Sequence, residues 1–254
     1  MSVAKQITIY LMPWGRVGSN LVNSIMAQNR SVKVYNEPLT RIDMEGRKRN
    51  LPEAEIWDEQ AAWLEENILT QAAPGPIFLN LAAVHIKNPR AFAQLFSEVE
   101  PVYIVHDRKD IVATVISAMR TQAWTQEAAE KGEKRSWAIP KGESVDFRPI
   151  IPVPDFLEMV GVVELGREII ETVTAGRNAT KYFYEDLLFD MDGVITDVFS
   201  KACIPFHSYE VRSAKFGSEA LENMVGNAGD LSDAIIENRL FTKLELTNRI
   251  SDAA

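Results

Sequence analysis

The stretch at residues 7–21, ITIYLMPWGRVGSNL, limits the folds open to this chain more than any other. Its apolar start, with Ile7, Ile9, Leu11 and Met12, predicts a buried strand, and the proline and glycine that follow predict a turn. The rest of the stretch begins a helix, and strand and helix signals go on alternating along the chain. Such alternation predicts an α/β fold with a mainly parallel central sheet flanked by helices.

The turn in this stretch has the chemistry of an anion-binding site. Gly18 permits close backbone approach, and Ser19 or Asn20 is the predicted cap of a helix that runs to about Asn29. Free N–H groups at such a turn, together with the helix dipole, attract an anion, and Arg16 adds a fixed positive charge. The turn is therefore predicted to bind a phosphate or sulfate group. A plain glycine turn before a buried helix is the alternative.

Two common phosphate-binding loops are excluded. The Walker A pattern G-x-x-x-x-G-K-[ST] is absent because no lysine follows Gly18. The G-x-G-x-x-G spacing of dinucleotide-binding folds fails as well. The anion must therefore be identified from the rest of the chain.

Length, composition and charge indicate the domain organisation, the partners and the compartment of the protein. At 254 residues, of which 46% are apolar, the chain is expected to form a single domain over residues 1–254. A net charge of −9 argues against nucleic acid or an anionic membrane as the main partner. The lone Cys203 excludes an intrachain disulfide and fits a reducing compartment, so without a signal peptide or membrane-spanning run the cytoplasm is expected. The three histidines give no zinc pattern, and no metal is expected.

The remaining elements are predicted from hydrophobic periodicity and turn residues. Strands are expected at residues 32–35, 77–86, 101–105 and 180–184. Helices are expected at residues 53–70, 89–98, 110–126, 154–175, 191–202 and 231–249. Residues 41–50 are polar and basic and predict a loop, whereas residues 127–152 predict a long mobile loop or lid.

Three separated segments carry a family resemblance. The first is GRVGSNL at residues 15–21, the second is VYIVHDRKD at residues 102–110, followed by Thr114, and the third is YEDL at residues 184–187. In order, spacing and setting they resemble the sulfotransferases that use PAPS (3′-phosphoadenosine 5′-phosphosulfate), over roughly residues 5–205. The resemblance implies a P-loop-like sulfotransferase architecture and PAPS as the co-substrate.

The resemblance assigns the two ends of PAPS to the first two segments. The family's loop R-S-G-[ST]-[ST]-L holds the 5′-phosphosulfate, so the matching residues are expected to bind it: Gly15, Arg16, Val17, Gly18, Ser19 and Asn20. Arg16 is also expected to be catalytic, because it would stabilise the sulfate and the leaving phosphate. The family binds the 3′-phosphate through an arginine and a serine, where this chain has His106 and Thr114. The resemblance therefore implies that His106, Arg108 and Thr114 bind the 3′-phosphate, and Arg108 or Lys109 can compensate for the weaker charge of a histidine.

Two residues are candidates for the general base that takes the proton from the acceptor hydroxyl. Glu37 lies in NEPL at residues 36–39, which is similar to an E-P-L segment of carbohydrate sulfotransferases, and bacterial trehalose-type enzymes also carry a glutamate there. Its alternative role is a loop residue or a salt bridge with Arg41. His85 lies 21 residues before His106, near the spacing of the catalytic histidine in cytosolic sulfotransferases. Its alternative role is a satisfied core residue.

The acceptor is expected to be a hydroxyl of a carbohydrate or another small molecule. The spacing S…A…T…W of the trehalose-type group is present, as Thr114, Ala118, Thr121 and Trp124. Residues 41–52 and 127–152 are expected to select the acceptor, and Trp124 or Trp137 can stack on a sugar or on adenine.

Other interpretations stay open for the whole chain. The basic clusters at residues 47–49 and 131–135 are predicted to be solvated, and closure over PAPS or an acidic acceptor is the alternative. A kinase-like nucleotide-binding protein is disfavoured by the missing Walker lysine. A non-catalytic relative with a weakened 3′-phosphate site is the third possibility. The sequence does not determine the oligomeric state.

Overall fold

The structure is a computed structural model that describes residues 6–70, 75–133, 139–140, 146–206, 208–211, 213–214 and 220–240. The described residues fall into two compact units. The first contains those up to Asp107 together with Glu164–Val211, and the second contains those of Arg108–Val163 and those after Val211. The single domain expected over residues 1–254 stays a prediction.

The first unit is built on a five-stranded parallel sheet. The described strands are β1 (Ile7–Met12), β2 (Lys33–Asn36), β3 (Ile77–Ala82), β4 (Val102–Asp107), β5 (Ile139–Pro140), β6 (Ala179–Phe183) and β7 (Ser213–Ala214). The sheet has the order β2-β3-β1-β4-β6, and every neighbouring pair is parallel. In the second unit, β5 and β7 form a short antiparallel pair. The predicted α/β class with a mainly parallel central sheet is confirmed.

Helices connect and cover the strands. The described helices are α1 (Ser19–Met26), α2 (Pro38–Lys48), α3 (Glu53–Leu64), α4 (Pro89–Leu95), α5 (Ile111–Glu130), α6 (Val153–Thr174), α7 (Tyr184–Phe189), α8 (Met191–Lys201) and α9 (Ala228–Glu237). A π-helical turn at Glu65–Leu69 extends α3, and a 3₁₀ turn at Ala83–His85 follows β3. Among the described residues, none of these helices has the length and hydropathy needed to cross a membrane.

Both faces of the central sheet are covered by helices, because successive side chains of a strand point to opposite faces. On β1, Ile9 packs into one hydrophobic cluster and Tyr10 into a second. The first cluster includes residues from α3, α4 and α6, namely Leu64, Phe92 and Ile169. The second includes residues from α1 and α8, namely Val22, Ile25, Ile195 and Val198. The sheet is therefore the middle layer of the first unit.

The expectation of a loop at residues 41–50 is wrong, because α2 covers most of this stretch. Pro38 occupies its first turn, where a missing N–H costs nothing. The buried face of the helix carries Leu39, Asp43 and Gly46, of which only the leucine is a large apolar residue. Gly46 is needed there, since a Cβ would lie 2.6 Å from the Ile56 Cγ1 of α3. Because a charged residue and a glycine lie on the inner face, the sequence lacks the apolar periodicity that predicts a helix.

Several boundaries differ from the predicted ones. Strand β3 ends at Ala82, so His85 lies in a 3₁₀ turn and not in a strand. Helix α5 runs to Glu130, so the predicted loop at residues 127–152 begins later. Residues 134–138 and 141–145 of that loop lie outside the described residues, as does the end of the predicted helix at residues 231–249. The lid stays a prediction.

Gly166 of α6 should tolerate no side chain, because a Cβ there would lie 2.2 Å from the carbonyl oxygen of Pro13. We expect Gly166→Ala to lower the free energy of unfolding by about 1–3 kcal/mol, since the backbone of the loop after β1 must shift. Gly161→Ala in the same helix is the matched control, because its Cβ would have no atom within 4 Å. That control should stabilise by about 0.5–1 kcal/mol through helix propensity. Urea unfolding checks both, and effects of the same sign would contradict the packing.

Candidate functional site

The residues predicted to carry chemistry in the first unit follow the carboxyl ends of parallel strands. The glycine loop follows β1, Glu37 follows β2, and His85 follows the end of β3 by three residues. The strands are in register, with Met12 opposite Ala82 on β1 and β3. Because parallel strands end at one edge of a sheet, these residues lie at the same edge, which is where α/β folds place ligands.

The turn between β1 and α1 contains two left-handed residues. Gly18 has a φ of 88° and Arg16 a φ of 70°, so both residues are left-handed. Gly18 is the residue before the helix, and no side chain caps the first turn, so the predicted capping by Ser19 or Asn20 is wrong. Ser19 is buried and Asn20 exposed at the start of α1. The first N–H groups of this helix have no intrahelical acceptor and suit an anion.

The third sequence segment packs directly on this turn. A Cβ on Gly18 would lie 3.1 Å from both Leu187 Cδ1 and Tyr184 Cδ2, which are in α7. Asp186 Oδ2 accepts a hydrogen bond from the Phe183 N–H at 2.9 Å and closes the first turn of α7. The segment at residues 184–187 therefore supports the shape of the glycine turn.

His85 is held beside the glycine loop by two contacts. Its ring packs on Trp14, with ring centroids 5.3 Å apart, and its Nδ1 lies 2.7 Å from Asp43 Oδ2. The side chain keeps 13% of its surface exposed, so the imidazole is partly buried but accessible. Burial lowers the pKa of His85 below its ordinary value, and the hydrogen bond to Asp43 offsets part of that effect. His85 is therefore neutral at neutral pH.

Asp43 is a buried carboxylate that the sequence did not identify as part of the site. Besides His85, it receives Lys87 Nζ at 3.0 Å and Arg47 Nε at 2.9 Å. Burial raises the pKa of Asp43, but the hydrogen bonds from His85, Lys87 and Arg47 outweigh that effect and lower it. Recognising α2 would have revealed the residue, because Asp43 lies four positions after Leu39 on the buried face.

Glu37 occupies an unusual backbone position at the start of α2. Its φ is 49°, and its N–H donates to the Asn80 carbonyl at 2.9 Å. Thr40 Oγ1 lies 3.5 Å from its Oε2, and Glu37 makes no ion pair with Arg41, although both residues are described. Burial raises the pKa of Glu37, and the Thr40 contact opposes this shift. Glu37 is thus a half-buried carboxylate without a basic partner among the described residues.

His106 lies in the core of the first unit. It is 1% exposed, and its Nδ1 is the hydrogen-bond partner of the Tyr10 hydroxyl. Burial lowers the pKa of His106 to about 4. A neutral imidazole adds no positive charge for a phosphate, so this placement favours a structural role. The predicted contact of His106 with the 3′-phosphate stays a prediction.

The burial of His106 predicts how stability depends on pH. An unfolded histidine has a pKa of about 6.5 and therefore binds more protons than the folded one between about pH 6.5 and about pH 4. We expect His106 to contribute a stability loss of about 3 kcal/mol as the pH falls through this window. Urea unfolding of the wild type and of His106→Gln, near pH 7 and near pH 5, checks this. If the free energy of unfolding depended on pH equally in the two proteins, the assigned contribution of His106 would be wrong.

The other predicted 3′-phosphate ligands lie in the second unit. Thr114 is 1% exposed, and its hydroxyl donates to the Asp110 carbonyl at 2.9 Å. Arg108 is partly buried, and its Nη1 lies 3.5 Å from the Ala113 carbonyl. Asp110 caps α5 by accepting from the Ala113 N–H at 2.8 Å. The segment after β4 therefore begins a well-capped helix.

The predicted basic clusters form ion pairs where the structure describes them, and one of these pairs is with the buried Asp43. Arg47, Lys48 and Arg49 pair with Asp43, Glu45 and Glu59, and Lys131 pairs with Glu127. Lys134, Arg135 and Trp137 lie outside the described residues, and Trp124 is partly exposed on α5. Within the described part of the chain, no group of three or more His, Cys, Asp or Glu side chains could hold a metal ion.

Comparison with known proteins finds similarity in fold only. No family profile and no curated sequence matches the chain. A sulfotransferase from Alicyclobacillus acidocaldarius is 9% identical, with 82% of this chain and 85% of that chain covered and a TM-score of 0.47. The sulfotransferase domain from the curacin biosynthetic pathway is 15% identical, with 81% and 76% covered and a TM-score of 0.43. A mouse sulfotransferase complexed with PAP (3′-phosphoadenosine 5′-phosphate) is 10% identical, with 80% of this chain and 61% of that chain covered and a TM-score of 0.42.

Proposed function

We propose that the chain is a sulfotransferase that moves a sulfuryl group from PAPS to a hydroxyl of a small acceptor. The observation that carries this proposal is the packing of Trp14 on His85. It places the glycine turn, which we propose binds the anion, beside an imidazole that is hydrogen-bonded to a buried carboxylate. An anion site and a base at one edge of a parallel sheet are what transfer to a hydroxyl needs. At the level of similarity reported above, the solved structures add no support of their own.

The glycine turn fits the 5′-phosphosulfate of PAPS. Gly18 leaves the first N–H groups of α1 without a side-chain cap, and Arg16 stands two residues before it. PAPS supplies the activated sulfuryl group. Arg16 and these N–H groups are proposed to stabilise the charge that develops on the sulfate and on the leaving phosphate.

His85 is proposed as the base. In the transfer, the bond between sulfur and the phosphate oxygen breaks, its electron pair stays on the phosphate, and the acceptor oxygen bonds to sulfur. The acceptor proton passes to Nε2 of His85, because Nδ1 is occupied by Asp43. Glu37 is the alternative base, but among the described residues its side chain accepts one hydrogen bond, from Thr40 at 3.5 Å, which orients it less firmly.

The acid limb of the pH–rate profile, where activity falls as the pH decreases, does not by itself distinguish His85 from Glu37 as the base. The pKa of His85 is lowered from 6.5, whereas that of Glu37 is raised from 4.5, so the two shifts bring the pKa values of the candidates towards each other. Either base predicts activity that falls as the pH decreases through its own pKa. Variants of each residue are therefore required.

The residues that bind the 3′-phosphate of PAPS, and the chemical class of the acceptor, are proposed from the sequence resemblance. Arg108 and Thr114 are proposed for the 3′-phosphate, and a carbohydrate hydroxyl is proposed as the acceptor. The cytoplasm is the proposed compartment, which suits the exposed thiol of Cys203. A non-catalytic nucleotide-binding protein is the second candidate, because His106 is buried and neutral where an arginine would bind phosphate.

Transfer from labelled PAPS tests the proposal. The protein would be incubated with ³⁵S-labelled PAPS and a panel of sugars, phenols and aliphatic alcohols, and both the labelled product and the released PAP would be measured. Labelled product that requires the protein is expected with at least one sugar. PAP binding without label in any member of the panel would favour the non-catalytic candidate.

A further inference from the structure

We infer that Asp43 is the positioning residue of the base: it holds His85 in the tautomer that carries its proton on Nδ1. This inference rests on the proposed function. Asp43 Oδ2 lies 2.7 Å from Nδ1, and its Oδ1 lies 2.9 Å from Arg47 and 3.0 Å from Lys87. One carboxylate thus contacts the ring through one oxygen and both cations through the other.

The hydrogen bond fixes which nitrogen of His85 is a base. An ionised carboxylate only accepts hydrogen bonds, so the nitrogen that faces it must carry a proton. The lone pair is then on Nε2, on the side of the ring away from Asp43. Packing against Trp14 restricts rotation of the ring, and Gln60 Nε2 donates to the His85 carbonyl at 2.6 Å. The backbone and the ring of His85 are therefore both held.

The charges around His85 keep it ready to accept a proton. On α2 it faces Asp43 and Arg47, and the segment after the 3₁₀ turn contributes Lys87. Helix α3 contributes the uncharged Gln60 and, 3.9 Å from Lys87 Nζ, the exposed Glu53. Because two cations share one buried carboxylate, a third positive charge on the ring is disfavoured. Burial lowers the pKa of His85 most, the hydrogen bond and charge of Asp43 raise it, and the charges of Lys87 and Arg47 lower it further.

A structural role of the same cluster makes a different prediction. If Asp43 served only to neutralise Lys87 inside the fold, the tautomer of His85 would not matter, and substitutions would act through stability alone. A positioning role instead requires that a folded Asp43 variant lose kcat while it keeps its stability. The opposite shifts of the ring pKa expected on replacing Asp43 or Arg47 follow from their charges and check only that both groups act on the ring. Arg47 is suited to this test because 62% of its side chain is exposed, so its loss should not unfold the protein.

The experiment is ¹⁵N NMR of the histidine rings in the full-length protein without ligand. Histidine-labelled wild type is compared with His85→Gln, which identifies the His85 signals among three histidines. Near neutral pH we expect a protonated-type Nδ1 and an unprotonated-type Nε2 on His85. A proton on Nε2, or an even mixture of tautomers, would overturn the inference even if Asp43 variants failed to fold.

Titration of two variants completes the test. Asp43→Asn should lower the pKa of His85 and Arg47→Gln should raise it, while Glu45→Gln, an exposed acid on the same helix, should leave it unchanged. Asp43→Asn should also lower kcat by about 10²–10⁴-fold, as expected when a base loses its orienting group. Shifts of one sign in both variants, or an unchanged kcat in a folded Asp43→Asn variant, would overturn the inference. If His85 showed the expected tautomer and the expected pKa shifts but the wild type transferred no sulfuryl group, the proposed function would be refuted instead.

Discussion

Replacing His85 by glutamine is expected to lower kcat for sulfuryl transfer by about 10²–10⁴-fold at saturating PAPS, the usual contribution of a general base. The ring accepts the proton through Nε2 in this account, and glutamine has no group of comparable basicity. Binding of PAP should change little, because His85 contacts Trp14 and Asp43 and is not one of the groups assigned to the donor. Steady-state kinetics and calorimetry together separate these effects.

Glu37→Gln is the matched comparison, because it removes the other candidate base without changing its size. If His85 is the base, Glu37→Gln should keep most of the activity and should retain the acid limb of the pH–rate profile. If His85→Gln stayed fully active and Glu37→Gln lost the acid limb, the assignment of the base would be wrong. The sulfotransferase proposal itself would survive that outcome.

Gly18→Ala is expected to lower kcat/KM for PAPS by about 10²–10³-fold, the loss typical when donors to a developing oxyanion are displaced. Alanine at a φ of 88° strains the backbone by about 1–2 kcal/mol. Its Cβ would also press on Leu187 and Tyr184, 3.1 Å away. Both effects move the first N–H groups of α1 from the positions that would bind the phosphosulfate.

Gly15→Ala is the control for this substitution, because it alters the same loop without either penalty. Its φ is not in the left-handed region, and a Cβ there would meet no atom within 4 Å. Gly15→Ala keeps the backbone N–H through which Gly15 would contact the phosphosulfate, so donor affinity should fall much less than in Gly18→Ala, as measured by PAP calorimetry and kinetics. If the two alanine variants lost activity equally, loop stiffness in general, and not the geometry at Gly18, would explain the loss.

The parallel sheet could be predicted because its strands are short, apolar runs separated by clear helical or turn signals. Strand β1 is buried at every position, so its sequence reads as a continuous apolar run. Helix α2 could not be predicted in this way, since Asp43 and Gly46 occupy its inner face. Their roles depend on partners far along the chain, Lys87 and Ile56, which local periodicity does not reveal.

Only the part of the candidate site that is formed by residues close together in the sequence could be predicted. The glycine turn is local in sequence and could be predicted, whereas the packing of Leu187 and Tyr184 on Gly18 could not, because these residues lie far along the chain. The hydrogen bond between His85 and Asp43 spans 42 positions and depends on a helix that was missed. His106 illustrates the opposite case, because a residue in a recognised segment turned out to be buried and bonded to Tyr10.

The most direct test of the donor site is a calorimetric titration of the protein with PAP, AMP and ATP under one condition. A sulfotransferase should bind PAP more tightly than AMP, because only PAP carries the 3′-phosphate, and more tightly than ATP. Tighter binding of ATP, or equal binding of PAP and AMP, would contradict PAPS as the donor.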